Sequence, residues 1–314
     1  MHAAVTTNEE HRHVPVLRDE VVSGLDPEEH GIVVDATYGR GGHTRAILAR
    51  LGAGGKMLVI DRDPAAVAQA RREWSGDQRI EIVHAPFSRL RAILDDHGLS
   101  GRVTGVLFDL GVSSPQLDDG SRGFGFAHDG PLDMRMDTES GITAADWLER
   151  VEQGELARVL RTLGEERFAR RVASRIKAHG RFSTTGELAQ VVAGAVPTRE
   201  PGKHPATRTF QAIRIALNRE LEELGEALPQ AVDVLAGGGR LVVISFHSLE
   251  DRLVKRFIRE QSRGDPYPPD LPVRHDMLRP RLRAVGKAVR AGKAEIAANR
   301  RARSAVMRVA EKVA

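Results

Sequence analysis

The chain has 314 residues and a formal net charge of +4 at neutral pH, and it contains no cysteine. This length exceeds that of most single domains, so we expect one large domain with an insertion, or two domains. The lack of cysteine excludes disulfides and thiolate metal sites and fits a reducing compartment. No apolar run approaches membrane-spanning length and no signal-peptide core is visible, so we expect a cytoplasmic protein without a membrane partner.

Positive charge is concentrated towards the C-terminal end. From Arg252 onward there are 17 Lys and Arg against six Asp and Glu, whereas acids outnumber bases in the rest of the chain. Such asymmetry is typical of nucleic-acid contact. A solvated basic tail is the alternative interpretation.

Strands and helices alternate in the first third of the chain. Apolar periodicity and flanking Gly and Pro predict helices over 17–25, 44–51, 65–74 and 88–97, and strands from 32, over 57–61, 80–84 and 103–109. This alternation predicts a parallel sheet with right-handed crossovers, whose ligand lies beyond the carboxyl ends of the strands. Asp35, Asp61, Phe87 and Asp109 all fall at that edge.

The alternation stops at a glycine-rich stretch over 110–141, which predicts a long functional or disordered loop. Helical periodicity then predicts helices over 143–149, 154–163, 167–179 and 185–196, the last with a capping box at Thr184 and Glu187. We interpret residues 115–210 as a small helical domain inserted into a sheet domain formed by residues 1–114 and 211–314.

The last third returns to the sheet. It predicts one helix over 208–227, a strand over 240–245, a helix over 249–261, a proline-rich loop over 265–280, and an antiparallel edge pair over 281–289 and 305–309. The predicted fold class is therefore α/β, a doubly wound sheet with an inserted all-helical domain.

The turn Gly39-Arg40-Gly41-Gly42 suggests a nucleotide-type cofactor site, because glycines let backbone approach a ligand at a helix N-terminus. Asp61 ends the next strand about 20 residues later, where such folds bind ribose hydroxyls. A nicotinamide cofactor would satisfy both features. Asp35 favours S-adenosylmethionine instead, since a carboxylate repels a pyrophosphate but attracts a sulfonium and an ammonium. Phe87 could stack on an adenine or belong to the core.

Six motifs in order give the chain a more specific resemblance. They are Asp35-Ala36-Thr37-Tyr38-Gly39-Arg40-Gly41-Gly42-His43, Ile60-Asp61-Arg62-Asp63-Pro64, Asp109-Leu110-Gly111-Val112-Ser113-Ser114-Pro115-Gln116-Leu117-Asp118, Gly130-Pro131-Leu132-Asp133-Met134-Arg135-Met136, Lys203-His204-Pro205-Ala206-Thr207-Arg208-Thr209-Phe210-Gln211 and Ser245-Phe246-His247-Ser248-Leu249-Glu250-Asp251. Together they closely resemble the bacterial small-subunit ribosomal RNA cytosine-N4 methyltransferases, the RsmH or MraW family.

The resemblance implies a class I methyltransferase, Rossmann-like sheet that uses S-adenosylmethionine on one cytosine in the decoding region of 16S rRNA, with the small ribosomal subunit as partner. Carried over by position, it implies a set of cofactor contacts: Gly41, Gly42, His43, Asp61, Phe87, Asp109 and Gln116. As a hypothesis, Asp109 is also the catalytic group, which either polarises the target amine or holds the charged end of the cofactor.

The remaining expectations concern RNA and metal. Lys203, His204 and Arg208 are predicted phosphate contacts, together with the arginine-rich end around Arg300, Arg301 and Arg303. The target base is expected to leave its stack and meet an aromatic ring, for which Phe124 or Phe126 could serve. His247 could be a base, although a histidine at a strand end is more often structural. No cluster has recognisable metal-ligand spacing, so no metal is expected.

Two rival functions stay open on sequence alone. One is a nicotinamide-dependent oxidoreductase, which Asp35 and the lack of an obvious hydride-transfer partner disfavour. The other is a ribosome-binding protein whose cofactor site is vestigial.

Overall fold

The structure is a computed structural model, and it describes residues 15–198, 202, 204–264 and 278–314. Strands in these residues form one seven-stranded sheet of order β3-β2-β1-β4-β5-β7-β6. The strands are β1 Ile32–Asp35, β2 Lys56–Asp61, β3 Ile80–His84, β4 Val103–Asp109, β5 Leu235–Ser245, β6 Leu282–Arg290 and β7 Val306–Lys312. Neighbours among β1 to β5 pair in parallel, and β7 is antiparallel to β5 and β6. The predicted fold class and antiparallel edge pair are confirmed.

Helices cover the sheet and form the insert. In the described residues they are α1 Arg18–Leu25, α2 Gly42–Leu48, α3 Pro64–Glu73, α4 Leu90–Asp96, α5 Ser114–Asp118, α6 Ala144–Arg150, α7 Gln153–Thr162, α8 Ala169–His179, α9 Thr185–Ala195, α10 Thr207–Leu217, α11 Glu220–Val234, α12 Ser248–Arg263 and α13 Lys293–Ala298. The capping box at Thr184 and Glu187 is confirmed at the start of α9. The predicted loop over 265–280 lies mostly outside the described residues.

The predicted single helix over 208–227 is wrong, because the chain forms α10 and α11 with a break between them. Arg219 has a left-handed backbone with φ of 52°, which a helix cannot continue through. Buried Asn218 donates through its side-chain amide to the carbonyls of Met134 and Arg214, both at 2.9 Å, and accepts from the N–H of Met136 at 2.8 Å. The break therefore ties the helix junction to the long loop.

Two hydrophobic cores lie on the two faces of the sheet. Consecutive strand residues point to opposite faces, so Val34 and Phe108 pack with α4 and α11, whereas Val33 and Leu107 pack with α1 and α2. A third core joins the glycine-rich loop to the inserted helices and runs from Phe124 to Ile213. Since α10 belongs to this third core, a boundary at residue 210 would cut one helix in two. We propose that the insert extends to the end of α10.

No helix in the part of the chain that the structure describes is long and apolar enough to cross a membrane.

Candidate functional site

A cavity of about 640 Å³ opens at the carboxyl ends of the parallel strands, between the sheet and the inserted helices. It lies where β1 has β2 on one side and β4 on the other, the point at which the strand order reverses. Ligands of doubly wound sheets bind at such a point. Six of the seven predicted cofactor contacts line this cavity, namely Gly42, His43, Asp61, Phe87, Asp109 and Gln116.

Gly41 is the exception, because it does not line the cavity. It has φ of 69°, and its N–H donates to the Tyr38 carbonyl at 2.8 Å. A Cβ at this position would lie 2.5 Å from the hydroxyl oxygen of the buried Tyr38 ring. Glycine is therefore required at position 41 for backbone conformation and packing, whereas Gly39, Gly42 and His43 line the cavity.

Asp61 is held by the turns on both sides of it. Its Oδ2 accepts from the N–H of Gly39 and its Oδ1 from the N–H of Asp63, both at 2.8 Å. Burial raises the pKa of Asp61 to about 6, and the two N–H groups only partly offset this. Each carboxylate oxygen keeps a further lone pair, so Asp61 can still accept hydrogen bonds from hydroxyls of a ligand.

Asp109 and His43 face each other at the end of β4. The N–H of Asp109 donates to the Thr37 hydroxyl at 2.6 Å, and His43 Nε2 lies 3.5 Å from Asp109 Oδ2. Asp109 Oδ1 and both ring nitrogens of His43 are buried and have no hydrogen-bond partner within the described chain. Because unpaired buried polar atoms are costly, these atoms indicate a polar ligand at this position.

Asp35 does not play the role that the sequence suggested. Its side chain is 1% exposed and does not line the cavity. It accepts from the Thr44 hydroxyl at 2.7 Å and from the Thr37 N–H at 3.1 Å, and burial raises its pKa. Asp35 therefore holds the glycine turn and the start of α2 in place and does not reach the cavity.

Phe87 and Gln116 also line the cavity. Phe87 packs edge-to-face on Phe108, with ring centroids 5.5 Å apart. Gln116 accepts from the Ser113 N–H at 2.9 Å and donates to Asp63 Oδ2 at 2.8 Å. The bond from Ser113 is part of a capping box at the start of α5, whereas the bond to Asp63 ties this helix to the start of α3. The spacing Ser-x-x-Gln is a recognised capping signal, so the sequence could have predicted this helix inside the glycine-rich loop.

A second cluster of polar side chains lies at the β5 side of the cavity. Arg214 donates to both oxygens of Glu220 at 2.8 Å, and His247 caps α12 by accepting the Glu250 N–H on Nδ1 at 3.3 Å. Burial alone would raise the pKa of Glu250, but His247 and then Arg214 bring the net pKa below its usual value. The carboxylates of Glu220 and Glu250 and the imidazole of His247 lie within 4.8 Å of one another, although Arg214 already neutralises Glu220.

Two of the predicted RNA contacts, His204 and Arg208, lie beside the cavity and do not line it. His204 is exposed, and its ring packs against Phe126 with centroids 4.6 Å apart. Arg208 donates to the Glu165 carbonyl at 2.8 Å. Lys203 lies outside the described residues. Of the two proposed stacking residues, Phe124 is buried and Phe126 is half-buried, and both line the cavity.

Comparison with known proteins gives a full-length match. A profile of the MraW methylase family matches residues 10–313. The chain is 58% identical over 305 residues to the ribosomal RNA small subunit methyltransferase H of Azoarcus sp. (strain BH72), covering 96% of this chain and 97% of that protein. It is 57% identical to the protein of the same name from Thiobacillus denitrificans (strain ATCC 25259 / T1), with the same coverage of both chains. A third such protein, from Idiomarina loihiensis (strain ATCC BAA-735 / DSM 15497 / L2-TR), is 53% identical, again over 96% of this chain and 97% of its own.

Proposed function

The chain belongs to the MraW methylase family, and from that premise we propose that it methylates the N4 amine of one cytosine in the decoding region of 16S rRNA, with S-adenosylmethionine as methyl donor. Two observations together support the proposal. The chain matches small-subunit rRNA methyltransferases over nearly its full length, and Asp109 and His43 carry unpaired polar atoms in the cavity. Neither rival function, oxidoreductase or vestigial site, has support in these relatives.

The residues of the cavity fit the proposed cofactor. S-adenosylmethionine, when bound, supplies a methyl group activated by a sulfonium. Asp61 would accept hydrogen bonds from the ribose hydroxyls, and Phe87 would pack on the adenine. Gly42 and His43 would lie against the rest of the molecule, and Gln116 would bound it on the α5 side, with its amide oriented by Ser113.

Asp109 is the residue to which we assign the chemistry. The lone pair of a cytosine amine is delocalised into the ring, so the amine is a poor nucleophile until an acceptor draws on its N–H hydrogens. The free, buried Oδ1 of Asp109 supplies such an acceptor, and the Thr37 hydroxyl fixes the backbone from which it projects. Positioning the amine against the methyl group would supply much of the remaining rate acceleration.

We assign RNA binding to the basic surface around the cavity. His204 and Arg208 lie at its edge, and Arg300 and Arg303 are exposed after α13. Arg301 between them lines the cavity and donates to Asp118 at 2.7 Å. Together with a C-terminal region rich in Lys and Arg, these groups suit the phosphates of a ribosomal RNA. We place the protein in the cytoplasm, with the assembled small subunit as its partner.

One incubation tests the proposal. Purified protein, S-adenosylmethionine labelled in its methyl group, and small ribosomal subunits lacking the modification should together yield labelled 16S rRNA. A nicotinamide oxidoreductase would bind reduced cofactor and transfer no label, and a vestigial site would bind subunits and transfer none. Either result would overturn the proposed function.

A further inference from the structure

The cavity has a second end that the cofactor contacts leave unused. This end is bounded by Phe126 of the glycine-rich loop, by Phe210 and Gln211 of α10, and by His247 at the start of α12. It lies one strand over from Asp109, because Asp109 on β4 pairs with Ile244 on β5, three residues before His247. A molecule held there would thus be close to the group to which we assign the chemistry.

One wall of this end is aromatic. Phe126 is half-buried, packs edge-to-face on Phe210 with centroids 4.9 Å apart, and has His204 on its outer side. The two neighbouring rings fix the position of the Phe126 ring. Proteins that act on a flipped base commonly stack it on such a ring and read its Watson–Crick edge with polar groups.

His247, which also lines the cavity, carries an unpaired donor. The side chain of His247 is only 10% exposed, and its Nε2 has no hydrogen-bond partner in the described chain. Nε2 lies 3.1 Å from Glu250 Oε1, but its N–H is not directed at that oxygen. Because Nδ1 accepts the Glu250 N–H, the proton of the neutral ring is on Nε2, which is therefore a donor.

The two carboxylates near His247 already have hydrogen-bond donors. Arg214 saturates Glu220, and Glu250 accepts from the N–H groups of Phe246 and His247 at 2.7 and 3.2 Å. Both carboxylates thus have partners, whereas Nε2 does not. His247 Nε2 therefore still lacks an acceptor.

We propose that this end of the cavity binds the target pyrimidine, stacked on Phe126, with His247 Nε2–H donating to ring nitrogen N3. The proposal rests on the proposed function. In cytosine, N3 is an acceptor beside the N4 amine, so one contact both orients the amine and identifies the base. In uracil, N3 carries a hydrogen and would face a second donor. A wrong base that leaves a buried polar group of the site without a partner is rejected strongly.

The test is a double change, one in the enzyme and one in the base. His247→Ser keeps a strong helix-capping side chain but removes the imidazole ring and its Nε2–H donor. Small subunits are reconstituted with 16S rRNA that carries either cytidine or 3-deazacytidine, which has a carbon in place of N3, at the methylated position. The specificity constant kcat/KM is measured for wild type and His247→Ser on both substrates. The cofactor affinity and the midpoint of thermal unfolding of His247→Ser should match those of the wild type.

With cytidine, His247→Ser should lower kcat/KM by about 10- to 100-fold, the usual effect of one buried hydrogen bond to a substrate. With 3-deazacytidine the wild type should lose a similar factor, and His247→Ser should lose little more. If the two losses instead multiply, His247 does not contact N3 and the proposal is wrong. If His247→Ser does not fold, His247→Asn provides the same test with another capping residue.

The same measurements distinguish a failure of the base-binding site from a failure of the proposed function. Wild-type protein that methylates the cytidine substrate, with His247→Ser equally active on it, would overturn the base-binding site alone. Wild-type protein that transfers no methyl group to this substrate would overturn the proposed function, and the base-binding site with it.

Discussion

The pKa of Asp61 makes cofactor binding depend on pH in an accessible range. Hydroxyl groups of a ribose donate hydrogen bonds, so the ionised carboxylate binds them better than the protonated one. Burial raises the pKa of Asp61 to about 6 in the protein without ligand. Binding therefore favours loss of the proton, and the affinity should fall as the pH is lowered through that value.

The magnitude follows from the ionised fraction. With a pKa of about 6, nearly all Asp61 is ionised at pH 7.5 and about one tenth at pH 5, so the affinity should weaken by up to about tenfold over this interval. Asp61→Ala removes the acceptor altogether. Loss of a charge-assisted hydrogen bond of about 1–3 kcal/mol should weaken binding at pH 7.5 by about 5- to 150-fold.

Calorimetric titration with S-adenosylmethionine at several pH values measures both effects. The part of the pH dependence that belongs to Asp61 is the difference between wild type and Asp61→Ala, so other titrating groups cancel. Below pH 6, wild-type binding should also release a proton, which appears as a dependence of the heat on the buffer. A folded Asp61→Ala protein with wild-type affinity, or an equal pH dependence in both proteins, would refute the assignment of Asp61 to the ribose.

Further variants test the chemistry, two structural features and the RNA surface. Asp109→Asn should reduce single-turnover methyl transfer by at least about 100-fold with an unchanged unfolding midpoint, and normal turnover would remove Asp109 from the mechanism. Gly41→Ala should lower the free energy of unfolding in urea by about 2–4 kcal/mol, because it adds both backbone strain and a clash with Tyr38. Gly39→Ala is the control: with φ of 56° and space for a Cβ, it should lower the free energy of unfolding by only about 1 kcal/mol. Equal losses in the two variants would contradict the packing role of Gly41. Asn218→Ala should cost about 2–4 kcal/mol in the same assay, because it leaves buried backbone groups unpaired, and a loss below about 1 kcal/mol would mean that the helix break does not depend on it. Replacing Arg300 and Arg303 together by Ala should reduce the salt dependence of subunit binding by about one unit of slope per lost phosphate contact, whereas the exposed pair Arg71 and Arg72 on α3, replaced in the same way, should leave it unchanged.

The sheet could be predicted from sequence because its information is local. Each parallel strand is a short apolar run that ends in a turn, and the ends of β3 and β4 were predicted to the residue. The break at Asn218 could not be found in this way, since both sides of it have helical periodicity. It depends on bonds to Met134 and Met136, which are more than 80 residues away in the chain.

The site was predictable in its location and less so in the role of each residue. Asp35 and Asp61 both end strands and look alike in sequence, yet Thr44 binds Asp35 and only Asp61 reaches the cavity. Gly41 and Gly42 are adjacent, but the Tyr38 ring gives Gly41 a packing role. Which of two similar residues faces a ligand depends on the residues packed behind it, and a single sequence does not show them.

We propose that this chain methylates N4 of one cytosine in 16S rRNA. The most direct measurement is mass spectrometry of nucleosides and of mapped fragments from 16S rRNA, after small subunits lacking the modification have been treated with the protein and S-adenosylmethionine. We predict one new methyl-bearing cytidine, in the decoding region, that co-elutes with N4-methylcytidine and is absent with Asp109→Asn. Methylation at carbon 5 of the base, at a ribose hydroxyl, on another base, or at no position would contradict the account.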